Sequence, residues 1–210
     1  MGNIDVFVRC APETPVRLYL ELAAIERWKL EAGVNLHVIW RTGSIGTTFP
    51  EHDNCPVEVF LPAENFQWTS RDYADKHATT DPYILADGDH LPLGADYAKR
   101  MIEKWNQHAT PEHVMIGVNS ILPSENQNQN VRLPDIPEVY PTPFAMGTTM
   151  VHRKGKINYL QFEGKASQQD DVVCNYMRAN GMKFSYFRDI LYLHLGFGLS
   201  QVEPRLWLRY

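Results

Sequence analysis

The sequence predicts an α/β protein with a mostly parallel central sheet flanked by helices, and three observations carry that expectation. Ile4-Asp5-Val6-Phe7-Val8-Arg9 is a run of β-formers that reads as a first strand. Thr14-Pro15 then opens a helix, with Thr14 as cap and Pro15 at the first helical position, where its missing N–H costs nothing. Asn35-Leu36-His37-Val38-Ile39-Trp40 follows as a second strand. A strand, a helix and a strand in that order begin a parallel unit, because parallel strands need a crossover connection.

The first helix is expected to bury Leu18, Leu22, Ile25 and Leu30 and to end at Gly33. Residues 42–55, rich in Gly, Thr, Pro and Asp, read as a loop. Val57–Leu61 reads as a third strand, Ser70–His77 as a helix and Asp81–Ala86 as a strand entering Asp87-Gly88-Asp89. A helix from about Ala95 to Gln107 turns Tyr97, Met101, Ile102 and Trp105 inward, and Val114–Val118 forms a further strand. Residues 119–143 carry Pro123, Pro134, Pro137, Pro141, Pro143 and a polar run, Glu125–Asn130, and are expected to be a long functional loop. The remainder predicts strands at Thr148–His152, Ile157–Phe162 and Ile190–His194, with a helix near Asp170–Asn180.

Composition narrows the function. With 210 residues, 44% hydrophobic and 21% charged, the chain has material for a single packed domain and is no disordered tail. Its longest apolar runs fall far short of the roughly 20 residues of a membrane span. Met1–Val6 lacks the basic-then-apolar pattern of a secretory signal, and Val6 stands where a myristoylation signal wants Ser or Thr. The net charge of −5 argues against a general nucleic-acid binder. The charge is uneven. Residues 1–150 hold 11 Lys/Arg against 20 Asp/Glu, and residues 151–210 hold 9 against 5. A basic final quarter beside an acidic remainder suits an anionic small ligand held near a bound cation. Cys10, Cys55 and Cys174 fit neither a disulfide framework nor a zinc cluster, which implies a reducing, cytoplasmic compartment.

Three features could carry chemistry. Asp87-Gly88-Asp89 ends an apolar strand, and alternate residues on a strand project to one side. Two hard carboxylates so placed suit Mg²⁺ or Mn²⁺ shared with phosphate oxygens. The same tripeptide is also a hairpin turn signal. Asp170-Asp171 opens a helix, where one acid can cap the helix and the other serve as a general base. His194 lies in an apolar strand, where an imidazole is either structural or the third ligand of a metal site, with His90 its rival for that place.

Taken in order, these pieces resemble a compact glycosyltransferase of the GT-A fold, of the inverting family-two type, over roughly residues 4–195. Val6-Phe7-Val8-Arg9 with its Pro-led helix resembles the family's first strand and helix. Ser70-Arg71-Asp72 resembles the family's small-Arg-Asn segment, with Asp in place of Asn, and Asp81–Asp89 resembles the strand delivering its Asp-x-Asp motif. Phe144–Arg153 resembles the Gly-led strand bordering the acceptor.

The resemblance implies one domain over 1–210, with a nucleotide-binding half at about 1–92 and an acceptor half at about 93–210. It implies a nucleotide-diphosphate sugar donor contacted by Arg9, Arg71, Asp87 and Asp89. It also implies a Mn²⁺ or Mg²⁺ ion on Asp87, Asp89 and His194, and Asp171, or else Asp170, as base. The acceptor is left open among a glycan, a lipid carrier, a protein and a modified DNA base. No Gln-x-x-Arg-Trp motif of processive, membrane-spanning synthases is present. A nucleotidyltransferase of the same fold wants a Gly-rich loop after the first strand, and Arg9-Cys10-Ala11-Pro12-Glu13 is no such loop. A binding protein retaining the fold without turnover is the other alternative.

Overall fold

The computed structural model describes residues 2–44, 57–121, 137–141, 149–164 and 169–195, except for the side chains at 119–121, 169–171, 191 and 194. In chain order the elements are β1 (Ile4–Cys10), α1 (Pro15–Lys29), β2 (Val34–Arg41), β3 (Val57–Leu61), α2 (Phe66–His77), β4 (Tyr83–Asp87) and β5 (His90–Pro92). There follow α3 (Tyr97–His108), β6 (His113–Ile121), β7 (Val139–Pro141), β8 (Met150–His152), a 3₁₀ turn (Tyr159–Phe162), α4 (Gln169–Ala179) and β9 (Lys183–His194).

All nine strands join one sheet, in the order β3-β2-β1-β4-β8-β6-β9-β5, with β7 also on β9. β3, β2, β1 and β4 are parallel. β8 runs against both β4 and β6, so β6 and its parallel neighbour β9 point the same way as β4. The sheet is therefore mostly parallel, as the sequence predicts, with β5, β7 and β8 reversed.

Both faces of the sheet are covered, which is why its central strands read as unbroken apolar runs. On one face Val6, Val8, Ile84 and Ala86 pack with Trp28 of α1 and Met101 of α3. On the other, Phe7, Tyr83 and Leu85 meet Phe66 and Ala74 of α2. A further cluster joins Trp68 to Phe162, Val173 and Met177. Each large side chain so buried is worth about 2 kcal/mol of apolar transfer.

The structure corrects several expectations. Leu30 is 78% exposed, and the buried stripe of α1 is Leu18, Glu21, Ala24, Ile25 and Trp28. Leu30 stands two residues past Trp28, about 200° round the helix, and so falls out of phase. Ile157–Phe162 is no strand. Tyr159 and Phe162 are both buried at a spacing of three, the period of the 3₁₀ turn they form. The stretch 119–143 is not wholly loop: β6 runs on to Ile121, and Val139–Pro141 pairs with Ser185–Phe187. The last strand begins at Lys183 instead of Ile190 and spans 12 residues. Cys10 and Cys174 are buried. Cys55, residues 122–136, residues 142–148 with the first half of the Gly-led segment, and residues 196–210 lie outside the described residues.

Candidate functional site at the carboxyl rim of the sheet

The parallel register of β1 and β4 sets Arg9 directly beside Asp87 at the carboxyl ends of both strands. Their side chains form an ion pair, with Arg9 9% and Asp87 27% exposed. Burial pushes the Asp87 carboxyl up, but the Arg9 charge, with His90 and Arg71 behind it, outweighs burial and the repulsion of Asp89 and holds it below its usual range.

Beyond Asp87 the strand stops and the chain turns. The Gly88 N–H donates to the Arg9 carbonyl at 2.8 Å. A Cβ at Gly88 would lie 2.9 Å from Cys10 Sγ, 3.0 Å from the Arg9 carbonyl oxygen and 3.0 Å from Glu21 Cδ. The turn therefore packs against β1 and α1 more tightly than any side chain allows. It is not a hairpin, because β4 pairs with β1 and β8 whereas β5 pairs with β9.

The strand ends at Asp87, and the two acids take different partners there. Asp87 meets Arg9 of β1, and Asp89 meets α1, where Arg17 Nη2 donates to its Oδ2 at 2.9 Å. His90 Nε2 stands 3.7 Å from the other oxygen. Asp89 is 1% exposed. The same guanidinium donates through Nε to Glu21 Oε1 at 3.0 Å, and the Ala11 N–H donates to Glu21 Oε2 at 3.0 Å. Burial drives the Glu21 carboxyl up to about 7, with Arg17 opposing that rise and the Asp89 charge adding to it.

Arg71 comes from α2, buried, with its guanidinium 5.5 Å from the centroid of the Trp68 ring. Burial, helped by the charges of Arg71 and Arg9, lowers the His152 imidazole to about 3. It is thus neutral, and its Nδ1 shares a hydrogen bond of 3.2 Å with the Tyr159 hydroxyl. His90 is sealed at the rim, its Nδ1 3.2 Å from the Thr149 hydroxyl and its ring 4.1 Å from that of Tyr192.

Of the residues singled out in the sequence, Arg9, Arg71, Asp87, Asp89 and His90 thus converge electrostatically on one rim. The backbone of His194 pairs with that of His90, which brings β9 to the same edge. Asp170 and Asp171 sit in the first turn of α4. The side chains of Asp170, Asp171 and His194 lie outside the described residues. Sequence reasoning missed Arg17 and Glu21. Their i, i+4 spacing on α1 was visible, but such a pair ordinarily decorates a solvent face, and nothing local marks Glu21 as buried.

Among the described residues no three His, Cys, Asp or Glu side chains gather as a ready metal cluster. The donor chemistry nevertheless fits a hard divalent ion. Asp87 keeps an accessible carboxylate, and Asp89 already carries a cationic group, the Arg17 guanidinium, on one oxygen. Magnesium-type ions need only one or two protein carboxylates, taking their other ligands from water and phosphate.

The fold is GT-A-like, as its likeness to solved structures shows. The mannosyltransferase PcManGT from Pyrobaculum calidifontis, determined in complex with GDP-Man and Mn²⁺, matches with a TM-score of 0.62 at 15% identity, over 98% of this chain and 59% of that one. S. aureus TarS 1–349 matches with a TM-score of 0.59 at 12% identity, over 91% of this chain and 60% of that one. A second structure of S. aureus TarS matches with a TM-score of 0.62 at 12% identity, over 91% and 36%. The chain thus spans at most 60% of the length of these structural relatives. No protein-family model matches the sequence, and no curated protein matches it. No helix among the described residues is long and apolar enough to cross a membrane.

Proposed function

We propose that this chain transfers a sugar from a nucleotide-diphosphate donor to an acceptor hydroxyl, with inversion. The observation that carries the reading is the meeting of Asp87, Asp89, Arg9 and Arg17 where parallel strands of a GT-A sheet end. Ligands of open α/β sheets bind at that rim.

In this reading residues 1–92 hold the donor and 93–210 the acceptor. Asp87 and Asp89, with His194, would hold Mn²⁺ or Mg²⁺, which when bound supplies Lewis-acid neutralisation of the departing diphosphate. Arg9 and Arg71 contact the nucleotide. Both are largely buried, so their charges act in a medium that screens them less than water does. Asp171, or else Asp170, takes the proton of the acceptor hydroxyl as that oxygen attacks the anomeric carbon from the face opposite the diphosphate. Both acids lie in the first turn of α4, and a helix amino terminus is a favourable place for negative charge. The acceptor is a glycan, a lipid carrier, a protein or a modified DNA base.

A panel of nucleotide sugars, screened for hydrolysis and thermal shift with and without Mn²⁺, tests this. A metal-dependent shift with one nucleotide and slow release of its sugar is the expected result. No shift with any nucleotide would leave a binding protein that keeps the fold without turnover.

A further inference from the structure

The first turn of α1 reaches into the rim. Thr14 caps it, its hydroxyl accepting the Arg17 N–H at 3.2 Å, and the Arg17 side chain lies along the rim, 35% exposed. One guanidinium there serves two buried acids, Glu21 through Nε and Asp89 through Nη2. Glu21 also accepts the N–H of Ala11, and Asp89 Oδ2 accepts from a long, partly solvated side chain, with His90 Nε2 3.7 Å from the other oxygen. A buried carboxylate is stabilised by a counter-charge, and the Arg17 guanidinium supplies one to Asp89. A divalent ion arriving on Asp89 would supply that counter-charge and repel the guanidinium beside it.

We propose that Arg17 is an exchangeable counter-charge: it holds Asp89 while the donor site is empty, yields that oxygen to the divalent ion, and moves onto the donor diphosphate. The Nε bond to Glu21 is the pivot that keeps the guanidinium at the rim throughout. Arg17 is thereby a positioning and donor-binding residue, and this role depends on the glycosyltransferase reading above.

The exchange makes two affinities move in opposite directions. Mn²⁺ alone is titrated into the full chain by electron paramagnetic resonance. GDP and UDP are then titrated in saturating Mn²⁺ by calorimetry, for the wild type, Arg17→Met and Arg17→Lys. The Met variant, whose stem keeps the apolar packing, is expected to bind Mn²⁺ alone about tenfold more tightly and the nucleotide about tenfold more weakly. Lys, a single donor that cannot span both acids, is expected to shift both affinities the same way by less. A Mn²⁺ affinity unchanged or weakened in both variants, or an unchanged nucleotide affinity, overturns the exchange. Wild-type protein that binds Mn²⁺ and nucleotide while the variants show no opposed shift removes this inference alone. Wild-type protein that binds neither removes the glycosyltransferase reading as well.

Discussion

Two ends of the same sheet bury a carboxylate almost completely, and they do so by different means. At the amino end of β1, Asp5 is fully buried and accepts from the Thr80 N–H at 2.9 Å, the Thr79 hydroxyl at 2.8 Å, Asn35 Nδ2 at 3.1 Å and the Thr79 N–H. Most of these donors are fixed by the short connection between α2 and β4. At the carboxyl rim, Asp89 accepts at 2.9 Å from Arg17, a side chain with several rotatable bonds and one solvent-facing side. Fixed amides suit Asp5 to clamp elements together, whereas the proposed exchange relies on a movable guanidinium to let Asp89 change partners. On that proposal the mobility of a donor, more than burial, separates the two acids.

The sharpest way to break this contrast is to remove the clamp. Asp5→Ala leaves two backbone N–H groups and Asn35 without their acceptor and is expected to cost about 4 kcal/mol in urea denaturation. Nucleotide affinity of the folded protein should be unchanged. A loss below about 1 kcal/mol would remove the clamp from the argument.

The two ends should also respond to pH with opposite sign. Burial raises the Asp5 carboxyl, but the hydrogen bonds of Asn35, Thr79 and Thr80 outweigh it and leave it below its ordinary 3.8. Its stabilisation is therefore present above pH 3.8 and lost as pH falls through the lower folded value. Glu21 is raised from 4.5 to about 7, so the folded chain holds a proton that the unfolded chain releases. Its contribution is complete below pH 4.5 and is lost as pH rises through 7, about 3 kcal/mol in all. Denaturation midpoints followed from pH 4 to 8 should fall less steeply in Glu21→Gln than in the wild type, and equal slopes would remove Glu21 as their source.

At the rim itself, Asp89→Ala is expected to weaken metal-dependent nucleotide binding by about a hundredfold while the protein stays folded, as read by calorimetry. Unchanged affinity would take Asp89 out of the site. The smallest effect belongs to Thr14, whose hydroxyl caps α1. Thr14→Ala is expected to cost about 1 kcal/mol of stability, with faster amide exchange in the first turn of α1 and none at Thr79 and Thr80.

Much of the frame was legible from local pattern. The Thr14-Pro15 helix start, the inward positions of the third helix and the Val57–Leu61 strand all emerged where periodicity placed them. The site was legible as residue types only. Arg9 and Asp87 stand 78 residues apart, and their meeting depends on β1 and β4 being neighbours in register. Arg17 and Glu21 looked like an ordinary surface pair, because helical spacing is silent about which face lies under a turn.

By itself, then, the sequence determined the elements and the acids available to chemistry, since side-chain period, capping and turn preference act within a few residues. Only the tertiary structure decided which guanidinium each acid would meet. Ending β4 at Asp87 sends Asp89 to α1 while Asp87 stays with β1, and that partition follows from strand order and from the close approach of Gly88 to Cys10 and Glu21. Such long-range contacts are set by how whole elements pack, and no local run of residues encodes them.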